Sequence, residues 1–336
     1  MIEAQAPLTE QPAVNPPNRL RRIRTVVGSL LAVGFVGFLG HHLWAWHDEL
    51  VHALNLGPGI LGAALLMMLG AHVQRAFEFN YMLRRLSVRE DYIESFALTG
   101  VALLLNYFPL SAGSAARAVA LKQKYDLAYA SYVSALIISV VVNAAVAAAL
   151  AFFMCIAIVP AGRTHDTLVT VFGVAMAGST LGLLLPTSRV PRGQSFVARH
   201  GRQLIEGLRV IRGRGGVLVL IGTSLAKLFF NSVRLWLCFH ALGLSLSARD
   251  AALLGSAAVT ISLVNVVPGN LGLREVLVGA MAGLIGFRPE MGMAAVSLDR
   301  AVILAYVFTA GVPSVFMLKR AFAREQKAGS TLPPRA

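Results

Sequence analysis

Apolar runs near the length of a bilayer crossing alternate with short polar segments along most of this chain. Six of them, at about 25–46, 57–79, 130–159, 168–186, 217–242 and 291–318, predict spanning helices, since a crossing takes about 20 mostly apolar residues. Two more apolar stretches do not fit that description. Residues 92–108 are stopped by Pro109 and followed by a segment holding Arg117, Lys122 and Lys124; residues 251–287 are interrupted at Pro268. Each predicts a hairpin that dips into the bilayer, breaks and returns, because broken backbone at that depth is tolerated only where protein or a wet cavity surrounds it. The expected fold class is an all-α polytopic membrane protein with about six spanning helices plus two re-entrant broken-helix hairpins. Two full crossings per hairpin would leave the parity unchanged, and the pattern leaves that choice open.

The breaks share a spacing. Asn106, Pro109 and Gly113 read N-x-x-P-x-x-x-G, and so do Asn265, Pro268 and Gly272; one shift of 159 superposes all three and carries Arg75 onto Arg234. Agreement at one fixed shift indicates an internal duplication. Repeat one covers 57–159 and repeat two 217–318. By the order of crossings the first enters from outside and the second from inside, so the pair forms an inverted-topology repeat, the plan of alternating-access carriers.

Composition agrees with a lipid solvent: 56% of residues are hydrophobic, 14% are charged, and the mean hydropathy is +0.68. The net charge of +14 would point to nucleic acid in a soluble protein. Here 22 of the 30 Lys and Arg fall on one side of the predicted topology, so the charge is an orientation signal and nucleic acid is not an expected partner. That side is taken as cytoplasmic, with a tail at 1–24, an Arg-rich loop at 187–216, a tail at 319–336 and the single membrane domain 25–318 between them. The expected location is the inner (plasma) membrane, multi-pass, with both termini cytoplasmic. The loop's weakly amphipathic spacing fits anionic phospholipid headgroups and a plain solvated loop equally. Cys155 and Cys238 read as core residues, and the histidines as interfacial or structural, with no metal or other cofactor spacing.

The breaks are where chemistry is expected. A half-helix beginning at mid-membrane exposes unpaired amide N–H groups and the positive end of its dipole. Pro109, Ser111, Gly113 and Ser114 form such a start in repeat one, and Pro268, Gly269 and Gly272 in repeat two; small residues let a phosphate approach the backbone. Arg75, Arg117, Arg234, Arg274 and Arg300 lie near these starts and suit phosphate, while Glu275 is the one well-placed carboxylate. The competing reading is internal pairing, of Arg75 with Glu78 and of Arg274 or Arg300 with Glu275 or Asp299.

The segment Pro109 to Arg117 with Ala120-Leu121-Lys122, the block Val267-Pro268-Gly269-Asn270-Leu271-Gly272-Leu273-Arg274-Glu275 and the pair Asp299-Arg300 resemble the signatures of the flippase-like integral membrane family related to the membrane region of lysylphosphatidylglycerol synthases. The first block departs in having Ser114 where that family often has Glu. The resemblance implies passage of a phospholipid or polyprenyl-linked headgroup between leaflets, with a membrane lipid as substrate, no cofactor, no catalytic residue and no aminoacyl-transferase domain. Two other functions stay open: a membrane enzyme modifying a lipid, with Glu275 as its base, and a non-catalytic partner in a lipid or envelope biosynthesis complex.

Overall fold

The structure is a computed structural model that describes residues 58–106, 112–184, 205, 209, 213, 215–263 and 273–330, with side chains of the last helix described as far as Arg320. These belong to one compact unit, Glu49–Ala336. The first expected span, the terminal tails apart from 319–330, and most of the loop 187–216 lie outside the described residues. So do the hairpin tips with Pro109, Ser111, Asn265, Pro268, Gly269 and Gly272.

Nine helices make up the described chain: α1 (Pro58–Arg85), α2 (Tyr92–Leu105), α3 (Ala112–Tyr125), α4 (Tyr129–Ile158), α5 (Arg163–Leu184), α6 (Gly216–Ala241), α7 (Ala248–Leu263), α8 (Leu273–Leu284) and α9 (Pro289–Ser330). Five of them, α1, α4, α5, α6 and α9, are long and apolar enough to cross a membrane. The protein is therefore an all-α polytopic membrane protein. The second expected span continues past residue 79, so Arg84 and Arg85 form the last turn of α1. There their charge opposes the negative end of the helix dipole.

The duplication extends from the motif to the whole helix plan. Shifting α1–α4 by 159 gives 217–244, 251–264, 271–284 and 288–317, beside the observed 216–241, 248–263, 273–284 and 289–330. Packing follows the same relation. The short helix of each unit lies along the long helix of the other, α2 on α9 and α7 on α4. The equivalent helices α1 and α6 pack on each other, with Met68 meeting Arg234 and Gly70 meeting Phe230. Residue numbers rise on one helix as they fall on the other, so α1 and α6 run antiparallel. Equivalent elements running in opposite directions make the two units inverted relative to each other.

Small residues permit the close approaches, as expected where apolar burial does not itself drive helices together. A side chain at Gly100 of α2 would run into Ser314 of α9, and one at Gly255 of α7 into Ser232 of α6. A side chain at Gly292 of α9 would meet Ala282 and the backbone of α8. One apolar cluster, including Leu235, Phe239, Leu253, Leu254 and Met281, fills the space among α4 to α9. Another, Phe79, Leu83, Val88, Leu98, Leu121 and Tyr132, ties α3 to α1, α2 and α4. Outward faces of the long helices stay apolar and exposed, as at Leu66, Phe153, Val174, Leu218 and Phe316, which suits contact with acyl chains.

Candidate functional site

Two polar centres lie inside this apolar bundle, one for each unit. That of repeat two is built by α6, α8 and α9. Arg234, 2% exposed in mid-α6, is paired through Nε with the fully buried carboxylate of Asp299, and its Nη2 donates to Asp299 Oδ2 at 3.3 Å. Arg274, in the first turn of α8, donates from Nη2 to the same Oδ2 at 2.7 Å. Arg300 Nε stands 2.9 Å from Glu275 Oε1. Asn231 accepts from Arg234 Nη2 at 3.0 Å, and Met68 of α1 lies 3.3 Å from its Nη1.

The cause is in the helical spacing. Asn231 and Arg234 are three apart and so share a face of α6. The adjacent Asp299 and Arg300 diverge around α9, so one reaches Arg234 and Arg274 while the other reaches Glu275. The internal pairing foreseen for Arg274 and Arg300 is thus present, with Asp299 shared by two guanidinium groups. Asp299, absent from the set of substrate-binding residues named from sequence, is the centre of the cluster. Its adjacency to Arg300 and its place in the family signature were the signals available.

The centre of repeat one is built by α1, α3, α4 and α6. Glu78 of α1 accepts from Gln74 Nε2 at 2.9 Å and from the hydroxyl of Ser139 on α4. Asn143, one turn on, donates to the Ser139 carbonyl at 2.8 Å. Lys227 of α6 lies within electrostatic range of both Arg75 and Glu78. Arg117 of α3 rests its guanidinium over the Phe79 ring, 4.5 Å from the centroid, beside the Tyr132 hydroxyl and within range of Glu78. Its Nε has no hydrogen-bond partner among the described residues, nor do Gln74 Oε1 and Asn143 Oδ1.

Close to this centre His72 locks three helices together. Its Nδ1 is 2.7 Å from the Tyr306 hydroxyl of α9 and its Nε2 3.0 Å from the Phe96 carbonyl of α2, while the ring stacks on Phe96 at 4.0 Å. A carbonyl only accepts, so Nε2 carries the proton, and Nδ1 accepts from the tyrosine in the neutral ring. His72 is a structural histidine.

The structure brings Arg234, Arg274, Glu275 and Arg300 into one cluster, and Arg75 and Arg117 into the other. Gly113 and Asn106 meet where α3 returns along α2: a side chain on Gly113 would strike the Asn106 amide and the Ala102 carbonyl. That contact explains the glycine of the first motif. Ser114 is partly buried on the same turn. Lys227 and Ser139 are the polar residues that the sequence showed in spans without marking them as a site.

At the cytoplasmic end predicted from the charge pattern, Lys124 Nζ binds Glu94 Oε2 at 2.6 Å and fastens α3 to α2. Glu90, in the loop before α2, is buried; burial pushes its carboxyl above the ordinary 4.5, partly opposed by the Ser95 hydroxyl, which donates to it at 2.5 Å.

In comparison with known proteins, the family model described as the lysylphosphatidylglycerol synthase TM region matches residues 25–311. No curated protein and no solved structure matches the chain.

Proposed function

The chain belongs to the family of the lysylphosphatidylglycerol synthase TM region, and from that premise we propose that it is a flippase-like carrier moving an anionic lipid between leaflets. The substrate is a phospholipid or a polyprenyl- or glycolipid-linked headgroup, and no chemical change is made to it. One observation carries this reading: two inverted units set arginine and lysine side chains at two levels of the antiparallel α1–α6 contact, about two turns apart, inside a mainly apolar bundle. Each such cation costs about 2.5–3.5 kcal/mol to hold at mid-membrane on insertion scales. Internal pairing offsets that cost for Arg234, Arg274 and Arg300, and a path for a negative headgroup makes use of such cations. Inverted repeats are the plan by which carriers expose one site to opposite sides in turn.

The test is transfer in reconstituted vesicles. Full-length protein in phosphatidylcholine vesicles carrying a trace of fluorescent phosphatidylglycerol is expected to speed movement of the label between leaflets, read by a membrane-impermeant quencher. Rates equal to those of empty vesicles across phosphatidylglycerol, phosphatidic acid and a polyprenyl phosphate would overturn the proposal. Recovery of a chemically altered lipid would replace the carrier with an enzyme.

A further inference from the structure

Away from both polar centres, a cavity of about 360 Å³ opens among α4, α6 and α7. Leu150 of α4, Phe229 and Trp236 of α6 and Ala248, Ala251 and Ala252 of α7 line it, and the hydroxyl of Ser232 lies against Gly255. Its size falls in the range of small-molecule sites. Ser232 and Trp236 stand two residues either side of Arg234, about 200° round the helix, so the cavity and the Asp299 cluster lie on opposite sides of α6. Leu225 and Phe229, both more than half exposed, open it onto the apolar outer surface of the bundle.

The repeat shows why a cavity exists at this seam. Under the shift of 159, Ala251 falls on Tyr92, Ala252 on Ile93 and Ser232 on Val73. In repeat one the Tyr92 hydroxyl donates to the Val73 carbonyl at 3.0 Å, so the tyrosine side chain bridges α2 and α1 at the equivalent place. In repeat two alanine leaves that place open. A void lined by apolar atoms forfeits dispersion contacts until something apolar fills it. From Leu225 to Trp236 α6 rises about 16 Å, near half of a hydrocarbon core of about 30 Å, so the groove is as long as one leaflet is deep. Trp236 stands toward the α6–α7 loop and donates from Nε1 to the Leu246 carbonyl at 2.9 Å, as suits an aromatic residue at the edge of the membrane.

We infer that this groove holds one acyl chain of a membrane lipid, drawn from the leaflet on the side of the α6–α7 loop and bound apart from the two polar centres. The chain does in repeat two what the Tyr92 ring does in repeat one: it packs the seam between the long helix and the first limb of the hairpin. The groove opens on a face of α6 that is apolar and long enough to cross the membrane, and the apolar rods available there are acyl chains. The inference goes beyond the carrier reading and does not depend on it.

Ala251→Tyr is the informative variant, because it puts the residue of repeat one into the groove of repeat two. Full-length protein in phosphatidylcholine vesicles carrying a trace of phosphatidylcholine with a photoreactive diazirine on one acyl chain is irradiated, and labelled peptides are mapped by mass spectrometry. Labelling at 225–236 and 248–252 is expected in several-fold excess over the equivalent 66–77 and 89–93, where Tyr92 is already in place. Ala251→Tyr should lose that excess with its thermal midpoint retained. Should Ala251→Tyr fail to fold, Ala252→Leu, at a partly buried position, narrows the same groove and should reduce the excess likewise. Equal labelling of the two seams in the wild type, or an excess that survives in the filled variant, shows surface lipid only and overturns the assignment. Absence of label at 225–236 and 248–252 also overturns it, whether a second copy of the chain or residues 25–46 fill the groove.

Discussion

Arg234 and Met68 meet across the α1–α6 crossing at 3.3 Å, and the 159-residue shift makes Arg75 and Lys227 their counterparts, within electrostatic range of each other. In one centre Arg234, Arg274 and Arg300 stand on two carboxylates, Asp299 and Glu275; in the other Glu78 lies within electrostatic range of Lys227 and Arg117. The Asp299 cluster is expected to govern stability.

Asp299 shares one buried carboxylate between two guanidinium groups, so Asp299→Asn removes that charge from both while keeping side-chain shape. Breaking a buried pair from one side costs about 3–5 kcal/mol. A thermal unfolding curve in detergent should show a large drop in midpoint for Asp299→Asn, and a near-unchanged midpoint would mean that this cluster does not hold the helices together.

Gly100 lies where α2 approaches α9, and an added Cβ collides with Ser314. Gly100→Ala is expected to cost about 1–3 kcal/mol by overpacking. Adding Ser314→Gly removes the opposing atoms and should recover most of the loss. Failure of the pair to recover would place the strain elsewhere, in the same unfolding assay.

Lys124 and Glu94 join the return limb of the first hairpin to α2 with both side chains largely shielded. Glu94→Lys places two ammonium groups together and should lower the midpoint. The swap Glu94→Lys with Lys124→Glu should restore it, with a coupling of about 1 kcal/mol. The double-mutant cycle measures that coupling directly.

Glu90 gives a pH dependence of known sign. Its carboxyl is raised by burial, so the folded protein binds the proton more tightly than the unfolded chain does. Stability contributed there is present below the ordinary value of 4.5 and falls as pH rises from that value through the raised one. Glu90→Gln should flatten this part of the midpoint-against-pH curve and leave the protein no less stable at neutral pH. A steeper curve in the variant would reverse the assignment.

The inversion itself is open to labelling. Ser87, after α1, and Ser245, after α6, lie in equivalent exposed loops. Single cysteines there should react with a membrane-impermeant maleimide from opposite faces of sealed vesicles. The native Cys155 and Cys238 are buried and should stay silent. Reaction from one common face would remove the inverted relation.

Five of the six expected spans and the shift of 159 were legible in the residues alone, because apolar run length and a repeated spacing are local properties of the chain. The sequence also exposed Arg75, Arg234, Arg274 and Arg300, since a charge inside an apolar run stands out wherever the helix goes. Which carboxylate each arginine would find was decided only by the tertiary structure. Asp299 and Arg300 are neighbours in sequence and point to different partners, and Lys227 reaches Arg75 and Glu78 from more than 140 positions away. Pairing depends on the crossing of helices remote along the chain, and a change of one helical step would exchange every partner while leaving the hydrophobic pattern almost as it is.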